Sequence, residues 1–394
     1  MLLGKFYNGI EIHRNEKLIY VKFLVPHRVI STCRINGGIR DDLDAVFNHQ
    51  ACEPAGHCSK SHDLAVRDPE AYFRGICERH DLKENSALLG TAANMNCASI
   101  KAKSFRELEV VAICTAGVET NAGRAGDPAG VYEEDGRFEP ISEEVAASAE
   151  KMVCDNNGTI NTILCINKAL TPGALVRTVV TATEAKTAAL WELNVNSRYS
   201  DGLATGTGTD QIAVASMMAD NKPLSGAGKH TKLGELIGLA VKEAVTEALH
   251  YQNKLTPQNQ RSVVIHIERF GTDSVTVKET VASYLSGEKA ALFRNNFIGV
   301  DRDPVTVAAV AALVHLRDKL VWKILPESCL PEIFITYGAH LSAAVAGKYE
   351  RFPVYRDKLA RYRFDLSNQS FLELVYRAIA IGFEDKWEFH EKNS

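Results

Sequence analysis

The chain has 394 residues, 45% hydrophobic and 24% charged, which is enough to bury a large core and suggests two or three domains. A formal net charge of −4 and a pI near 6.3 give no general attraction for polyanions, and no basic stretch is interleaved with aromatics, so no nucleic-acid partner is expected. Lys5, Glu11, His13, Arg14, Glu16 and Lys17 interrupt the first 20 residues, leaving no secretion signal, and no apolar run approaches the roughly 20 residues that span a bilayer; the expectation is a cytoplasmic protein with no membrane partner.

Residues 6–36 read as short strands, Leu18–Leu24 and Arg28–Cys33 among them, and Gly37-Gly38 breaks the pattern. The densest set of metal-capable side chains follows: His49, Cys52, His57, Cys58 and His62. Imidazole and thiolate are the usual zinc ligands, but the two-residue gap between cysteines typical of paired ligands is absent. The expectation is a polar, partly buried loop and no metal site, with a bound metal as the alternative. Nine cysteines, odd in number and scattered, fit reduced thiols better than a disulfide framework.

Residues 70–82 suggest a helix, and 86–95 a strand running into a polar loop with Asn94. Leu108–Cys114 reads as a buried strand ending in Thr115–Pro128. In that loop glycines let the backbone approach a ligand, while Asn121, Arg124 and Asp127 supply directed polar contacts. A structural turn with an internal Arg124–Asp127 pair is the alternative. Residues 141–154 are expected to form a helix leading into Asp155-Asn156-Asn157-Gly158-Thr159-Ile160-Asn161.

An apolar β-branched run, Ile163–Ile166, comes next. Thr171 is suited to cap, and Pro172 to open, a helix with Leu175, Val179, Ala182, Ala185 and Ala189 on one face. The loop Ala204–Asp210 then alternates Thr and Gly, so hydroxyls and unencumbered N–H groups could converge on one polar ligand atom; Thr205, Gly206, Thr207 and Gly208 are candidate binding residues. Ile212–Ser216 reads as another strand. Ser225–Thr231 superficially resembles a phosphate loop, but Pro223 and His230 stand where the signature needs Gly and Ser or Thr, which argues against nucleotide binding. A long helix is expected over 232–252.

From about residue 253 the pattern is mostly helical, including a helix opened by Asp303-Pro304 and another over 371–383. Tyr349, Arg351, Tyr355, Arg356, Arg361, Tyr362 and Arg363 read as a solvated helix surface. The expected class is α/β (α+β), with sheets flanked by helices, in a 1–252 domain followed by a mainly helical 253–394 region of unknown role.

Several segments together resemble one family: Thr115–Asp127, Gly158–Asn161, Thr183–Thr187, Ala204–Asp210 and Gly226–His230 look like those of the adenosylcobinamide amidohydrolases, the CbiZ family, over about residues 25–250. The resemblance implies corrinoid salvage: hydrolysis of the amide joining aminopropanol to adenosylcobinamide, giving adenosylcobyric acid for cobalamin biosynthesis. The adenosylated corrinoid is then the small-molecule substrate, and hydrolysis needs no organic cofactor.

Cleaving an unactivated amide requires a nucleophile, a base, donors for the developing oxyanion and an acid for the leaving amine. Thr159 is the candidate nucleophile. Its setting between Asn156-Asn157-Gly158 and a buried strand is similar to self-processing hydrolases related to D-aminopeptidase and ornithine acetyltransferase, in which the chain breaks before a Ser or Thr; alternatively Thr159 merely starts a strand. If water is the nucleophile instead, Asp210 and His230 are the acid/base candidates, with Lys229 stabilising negative charge, although Asp210 could equally cap a turn and Lys229 and His230 simply precede a helix. Gly206 and Gly208 amides are candidate oxyanion donors, and Asn94, Asn121, Thr205 and Thr207 suit an amide-edged ring. A corrinoid-binding protein without hydrolysis and a self-processing amidase or aminopeptidase remain as rival readings.

Overall fold

A computed structural model describes residues 1–51, 60–135, 137–142, 158–218 and 222–386. They form two compact units, Met1–Leu255 and Thr256–Ser394. In the first unit, β1 (Leu2–Phe6), β2 (Ile10–Asn15), β3 (Leu18–Phe23), β6 (Ala45–Gln50) and β7 (Ser86–Thr91) make a five-stranded sheet in that order. A six-stranded sheet has the order β5-β4-β15-β13-β9-β8, built from β4 (His27–Ser31), β5 (Gly38–Arg40), β8 (Ser99–Phe105), β9 (Leu108–Ala116), β13 (Ile160–Ile166) and β15 (Gln211–Met217). Among the described strands of these two sheets, only the β6/β7 and β13/β15 pairs are parallel. A parallel pair needs a crossover connection. Between β13 and β15 that connection carries the helix α3 (Pro172–Glu192), capped by Thr171 as its sequence suggests.

Alternation along the strands explains the layering. Ile163 and Cys165 of β13 join Val111, Ile113, Ala213 and Ala215 against Ile10, Ile12, Ile19, Val21 and Leu89 of the other sheet. Ile160, Leu164 and Ile166 point the opposite way, onto α3 and α4 (Lys232–Asn253). The far face of the five-stranded sheet packs Leu18, Phe47 and Leu88 on Tyr72, Phe73 and Ile76 of α2 (Pro69–His80), which follows the short α1 (Lys60–Arg67). The unit is thus four layers, helices–sheet–sheet–helices. All seven residues of β13 are buried.

One polar ladder crosses between the sheets. Asn161 Nδ2 donates to Asn48 Oδ1 and to Gly90 O, both at 2.9 Å, and Asn48 Nδ2 donates to Thr115 Oγ1 at 2.7 Å. Buried amides in this setting are costly unless paired, so the ladder fixes β13 in register against β6 and β7. It sits two residues from Thr159 and holds that end of the strand in place.

Several expectations change here. His49 stands in the buried strand β6 and not in a loop, its Nδ1 hydrogen-bonded to the Tyr72 hydroxyl. Cys52, His57 and Cys58, the side chain of His62, and the helix expected over 141–154 lie outside the described residues, apart from a bend at Ile141 and Ser142. Among the described residues no group of three or more His, Cys, Asp or Glu is placed to hold a metal. The paired strands β11 (Val131–Glu134) and β12 (Arg137–Pro140) carry too little apolar alternation to stand out in the sequence, and the edge strand β8 is not among the expected strands.

The second unit is helical: after short helices α5 (Pro257–Gln260) and α6 (Val263–Ile267) come α7 (Ser274–Ser283), α8 (Gly287–Asp301), α9 (Pro304–Val321), α10 (Leu330–Ala346), α11 (Phe352–Leu359) and α12 (Asn368–Lys386). Asp303 caps α9 through Thr306 N at 2.8 Å. Tyr355 is fully buried, contrary to the expected solvated surface, because its ring fills the core while its hydroxyl reaches Asp385. Glu327–Ala346 is long and apolar enough to cross a bilayer, more than the sequence reading allows, but Phe334, Ala339, Leu341, Ala343 and Val345 are buried inside the unit's own core.

Candidate active site

The Thr–Gly loop folds back as a two-residue strand, β14 (Gly206–Thr207), paired with β10 (Ala122–Gly123) of the Asn121–Asp127 loop. This pairing brings together the two loops that follow β9 and α3, at the end of β13 where Thr159 sits. Helix α3 grips the same loop, since Thr187 Oγ1 donates to Thr205 O at 3.1 Å and Lys186 pairs with Asp210. The Asp210 carboxylate collects further donors: Ile160 N and Thr207 N, each at 3.0 Å, and the Thr207 hydroxyl. Each side chain of the Lys186–Asp210 pair is only 15% exposed. A buried charge persists when it is paired and hydrogen-bonded, and Asp210 meets both conditions. Gly206 makes room for this: a Cβ there would lie 2.4 Å from Asp210 Oδ2 and 2.7 Å from Lys186 Nζ.

Beside this pair lies a cavity of roughly 190 Å3 lined by Thr32, Thr162, Thr183, Lys186, Asp210 and Gln211, with Ile160, Val179, Ala182 and Ile212 as its apolar wall. Thr159, the residue before Ile160 of that wall, is buried and does not line the cavity. Its Oγ1 is 2.6 Å from Thr209 Oγ1, and Thr209 Oγ1 donates to Gly158 O at 3.0 Å. Asn121 Nδ2 donates to the same carbonyl at 3.0 Å, while Tyr199 OH donates to Asn121 Oδ1 at 2.9 Å and so fixes which way the amide faces. Cys114, near Thr162, is no rival nucleophile: burial pushes its thiol up to about 12, and a thiol attacks only as thiolate.

The sequence profile of the adenosylcobinamide amidohydrolase family matches residues 3–257, the whole of this unit. The chain belongs to that family. It is 42% identical over 242 residues to an uncharacterized protein from Methanocaldococcus jannaschii, covering 61% of this chain and 88% of the relative. A crystal structure of a protein from Pyrococcus horikoshii aligns with 60% of this chain and 78% of its own, at 11% identity and a TM-score of 0.31, a likeness too low to carry an argument.

Within this amidohydrolase unit the candidate residues separate into groups. Thr159, Asp210, Asn121, Thr207 and Gly206 converge, and Gly208 packs against the Asn121 amide. The donors aimed at one carbonyl are Asn121 Nδ2 and Thr209 Oγ1, where the sequence pointed to the Gly206 and Gly208 amides. Asp127 and Thr205 hold the loop: Asp127 Oδ2 accepts from Arg124 N at 2.7 Å and Ser197 Oγ at 2.6 Å, and Thr205 Oγ1 accepts from Ala125 N. Burial pushes the Asp127 carboxyl up, but the Ser197 and Ser200 hydroxyls and the Arg124 N–H outweigh it and leave it below its ordinary value. The Arg124 guanidinium lies over the Trp191 ring, 5.8 Å from its centroid. Asn94 caps the turn Met95–Cys97 and docks on Gln252. Lys229 pairs with Glu184 at the surface, 2.9 Å apart, beside the exposed His230, and neither lines the cavity.

Lys186, Thr209 and Tyr199 are absent from the residues singled out by type and spacing. Lys186 carried a signal: it lies four residues after Ala182 and three before Ala189, within the inward stripe of α3, where a lysine needs a buried partner. Tyr199 carried none, because its loop reaches Asn121 only through tertiary folding.

Proposed function

We propose that this chain hydrolyses the amide joining aminopropanol to adenosylcobinamide, releasing adenosylcobyric acid for corrinoid salvage in the cytoplasm. The reading rests on one coincidence: the unit matched by the family contains a cavity whose wall includes an ion pair, Lys186–Asp210, and Asp210 also holds Ile160 N, next in the chain to the buried Thr159, whose hydroxyl pairs with that of the exposed Thr209. The cavity is smaller than the roughly 300 Å3 at which pockets for drug-sized ligands begin, so it suits the aminopropanol arm and leaves the corrin ring outside.

In this reading Thr159 is the nucleophile. Asn121 Nδ2 and Thr209 Oγ1 are the donors for the oxyanion, and Lys186, oriented by Asp210, stabilises negative charge at the cavity wall. Water is the only co-reactant, and neither an organic cofactor nor a metal is called for.

The test is incubation of the purified protein with adenosylcobinamide, with and without a chelator, following adenosylcobyric acid by chromatography. Product is expected in both arms, and Lys186→Met is expected to slow its formation by about a hundredfold. Absence of product from a well-folded sample would sink the reading. Tight corrinoid binding without aminopropanol release would make the chain a corrinoid-binding protein instead.

A further inference from the structure

The two oxyanion donors already have an occupant, the chain's own Gly158 carbonyl. Asn121 Nδ2 and Thr209 Oγ1 each reach its oxygen at 3.0 Å, so no substrate carbonyl can use both while that peptide bond stays in place. When Thr209 gives its one hydroxyl proton to Gly158 O, the Thr159 hydroxyl is the donor to Thr209 Oγ1 across 2.6 Å. The result is a hydroxyl relay from Thr159 through Thr209 to the carbonyl next to Thr159 in the chain. Covalent connectivity alone keeps Thr159 Oγ1 one five-membered ring from the Gly158 carbonyl carbon.

The surroundings hold this arrangement rigidly. Ile160 N, on the strand side of Thr159, is fixed by Asp210 at 3.0 Å, and the Thr159 carbonyl accepts from Gly117 N at 3.1 Å. On the other side, a Cβ on Gly158 would meet Gly117 O at 3.0 Å and Asn121 Cβ at 3.2 Å, so only glycine lets the carbonyl reach both donors without displacement. These are the requirements for acyl transfer, a positioned nucleophile and a polarised carbonyl, met on the protein's own backbone.

We infer that the chain cleaves itself between Gly158 and Thr159. Thr159 Oγ1 attacks the Gly158 carbonyl carbon, the Gly158–Thr159 C–N bond breaks, and the hydroxyl proton ends on the Thr159 nitrogen, leaving an ester. Water then hydrolyses that ester, giving a Gly158 carboxylate, a free Thr159 hydroxyl and a Thr159 α-amine. Cleavage does two things for the site. It frees Asn121 Nδ2 and Thr209 Oγ1 for a substrate carbonyl, and it creates an amine with a reference pKa of about 7.7–8.0, able to act as base for the Thr159 hydroxyl at neutral pH.

Denaturing intact-mass measurement of the full-length protein, fresh and after prolonged incubation, tests this. Two species are expected, residues 1–158 and 159–394. Thr159→Ala should remain one chain and Thr159→Ser should still divide, while Thr209→Val and Asn121→Ala should each slow the break at least tenfold. A wild-type chain that stays whole, or a Thr159→Ala chain broken at the same bond, would overturn the inference. The substrate assay fails separately: adenosylcobyric acid from an unbroken chain overturns self-cleavage, and with it Asn121 and Thr209 as oxyanion donors, but leaves the proposed reaction standing, and a divided chain that forms no product overturns the proposed reaction alone.

Discussion

Asp210 and Asp385 are carboxylates in different units, each gathering several donors, yet they have different surroundings. Asp385 receives the Arg351 guanidinium and the Tyr355 hydroxyl and has the Lys348 ammonium 3.8 Å away, and it is almost fully buried in packed helices. Burial and the Asp385 charge push the Tyr355 hydroxyl well up from its ordinary value, so it remains a neutral donor. Asp210 receives Lys186, Ile160 N and Thr207, but one side of its pair opens on a cavity and the other adjoins the Thr159–Thr209 hydroxyls. Polar satisfaction alone does not mark a site. What separates the two is free volume and a nucleophile within reach.

The largest effect should come from Asp385→Ala, which leaves the half-buried Arg351 and Lys348 without their carboxylate and the fully buried Tyr355 hydroxyl without its acceptor. Losing these together should cost about 3 kcal/mol, so thermal denaturation should show the second unit melting earlier, with adenosylcobinamide hydrolysis unchanged below that transition. Asp210→Asn should weigh more on chemistry: turnover should fall by about 10²–10³ because Lys186 loses its charged partner, while the melting temperature falls less than in Asp385→Ala, because the amide keeps the side chain's size and an oxygen to accept from Ile160 N. Equal damage to stability and turnover in both variants would erase the distinction drawn here.

Acid should act more gently and on both units, since burial also holds His266 of the second below its ordinary value. In the first, burial holds His27 below its ordinary value and lowers His49 to about 4. Both are neutral in the fold and charge more readily when unfolded. The stability they contribute is complete above about pH 6.5 and is lost as pH falls toward 4, by about 3 kcal/mol for His49. Denaturant titrations of wild type and His49→Gln between pH 7 and 4 should show a steeper slope in the wild type, since the variant keeps only the His27 contribution. The smallest effect is the helix cap: Thr171→Ala should cost about 1 kcal/mol and leave turnover nearly intact, since Asp210 still orients Lys186.

Much of the fold was legible because local signals agreed with it. Ile163–Ile166 is β-branched and fully buried, and Thr171-Pro172 and Asp303-Pro304 open helices as capping chemistry requires. Where local and tertiary demands differ, the sequence was less readable. Ser99–Phe105 pairs as an edge strand despite two lysines, because β9 supplies its partner and Glu247 and Glu243 pair with Lys101 and Lys103. Tyr355 reads as polar surface among arginines and is core because Asp385, thirty residues away, accepts its hydroxyl. At the site, residue type picked out the two loops that the β10–β14 pairing brings together but could not assign roles within them: Asp127 looks like a ligand contact and holds a loop, while Lys186, set apart only by its place on the inward stripe of α3, lines the cavity.

The order of the six-stranded sheet also governs how the first unit folds. The strand β4 pairs with β15, and Ile212 N reaches Thr32 Oγ1 across a sequence separation of 180 residues. A nascent chain therefore carries β4 and β5 with one edge open until almost the whole unit has left the ribosome. Closure of so long a loop comes late and makes folding slow. Until then β4 pairs only with β5 and its other edge lacks a partner strand, so this open edge is where premature association with other chains would start, and where a chaperone would have most to protect.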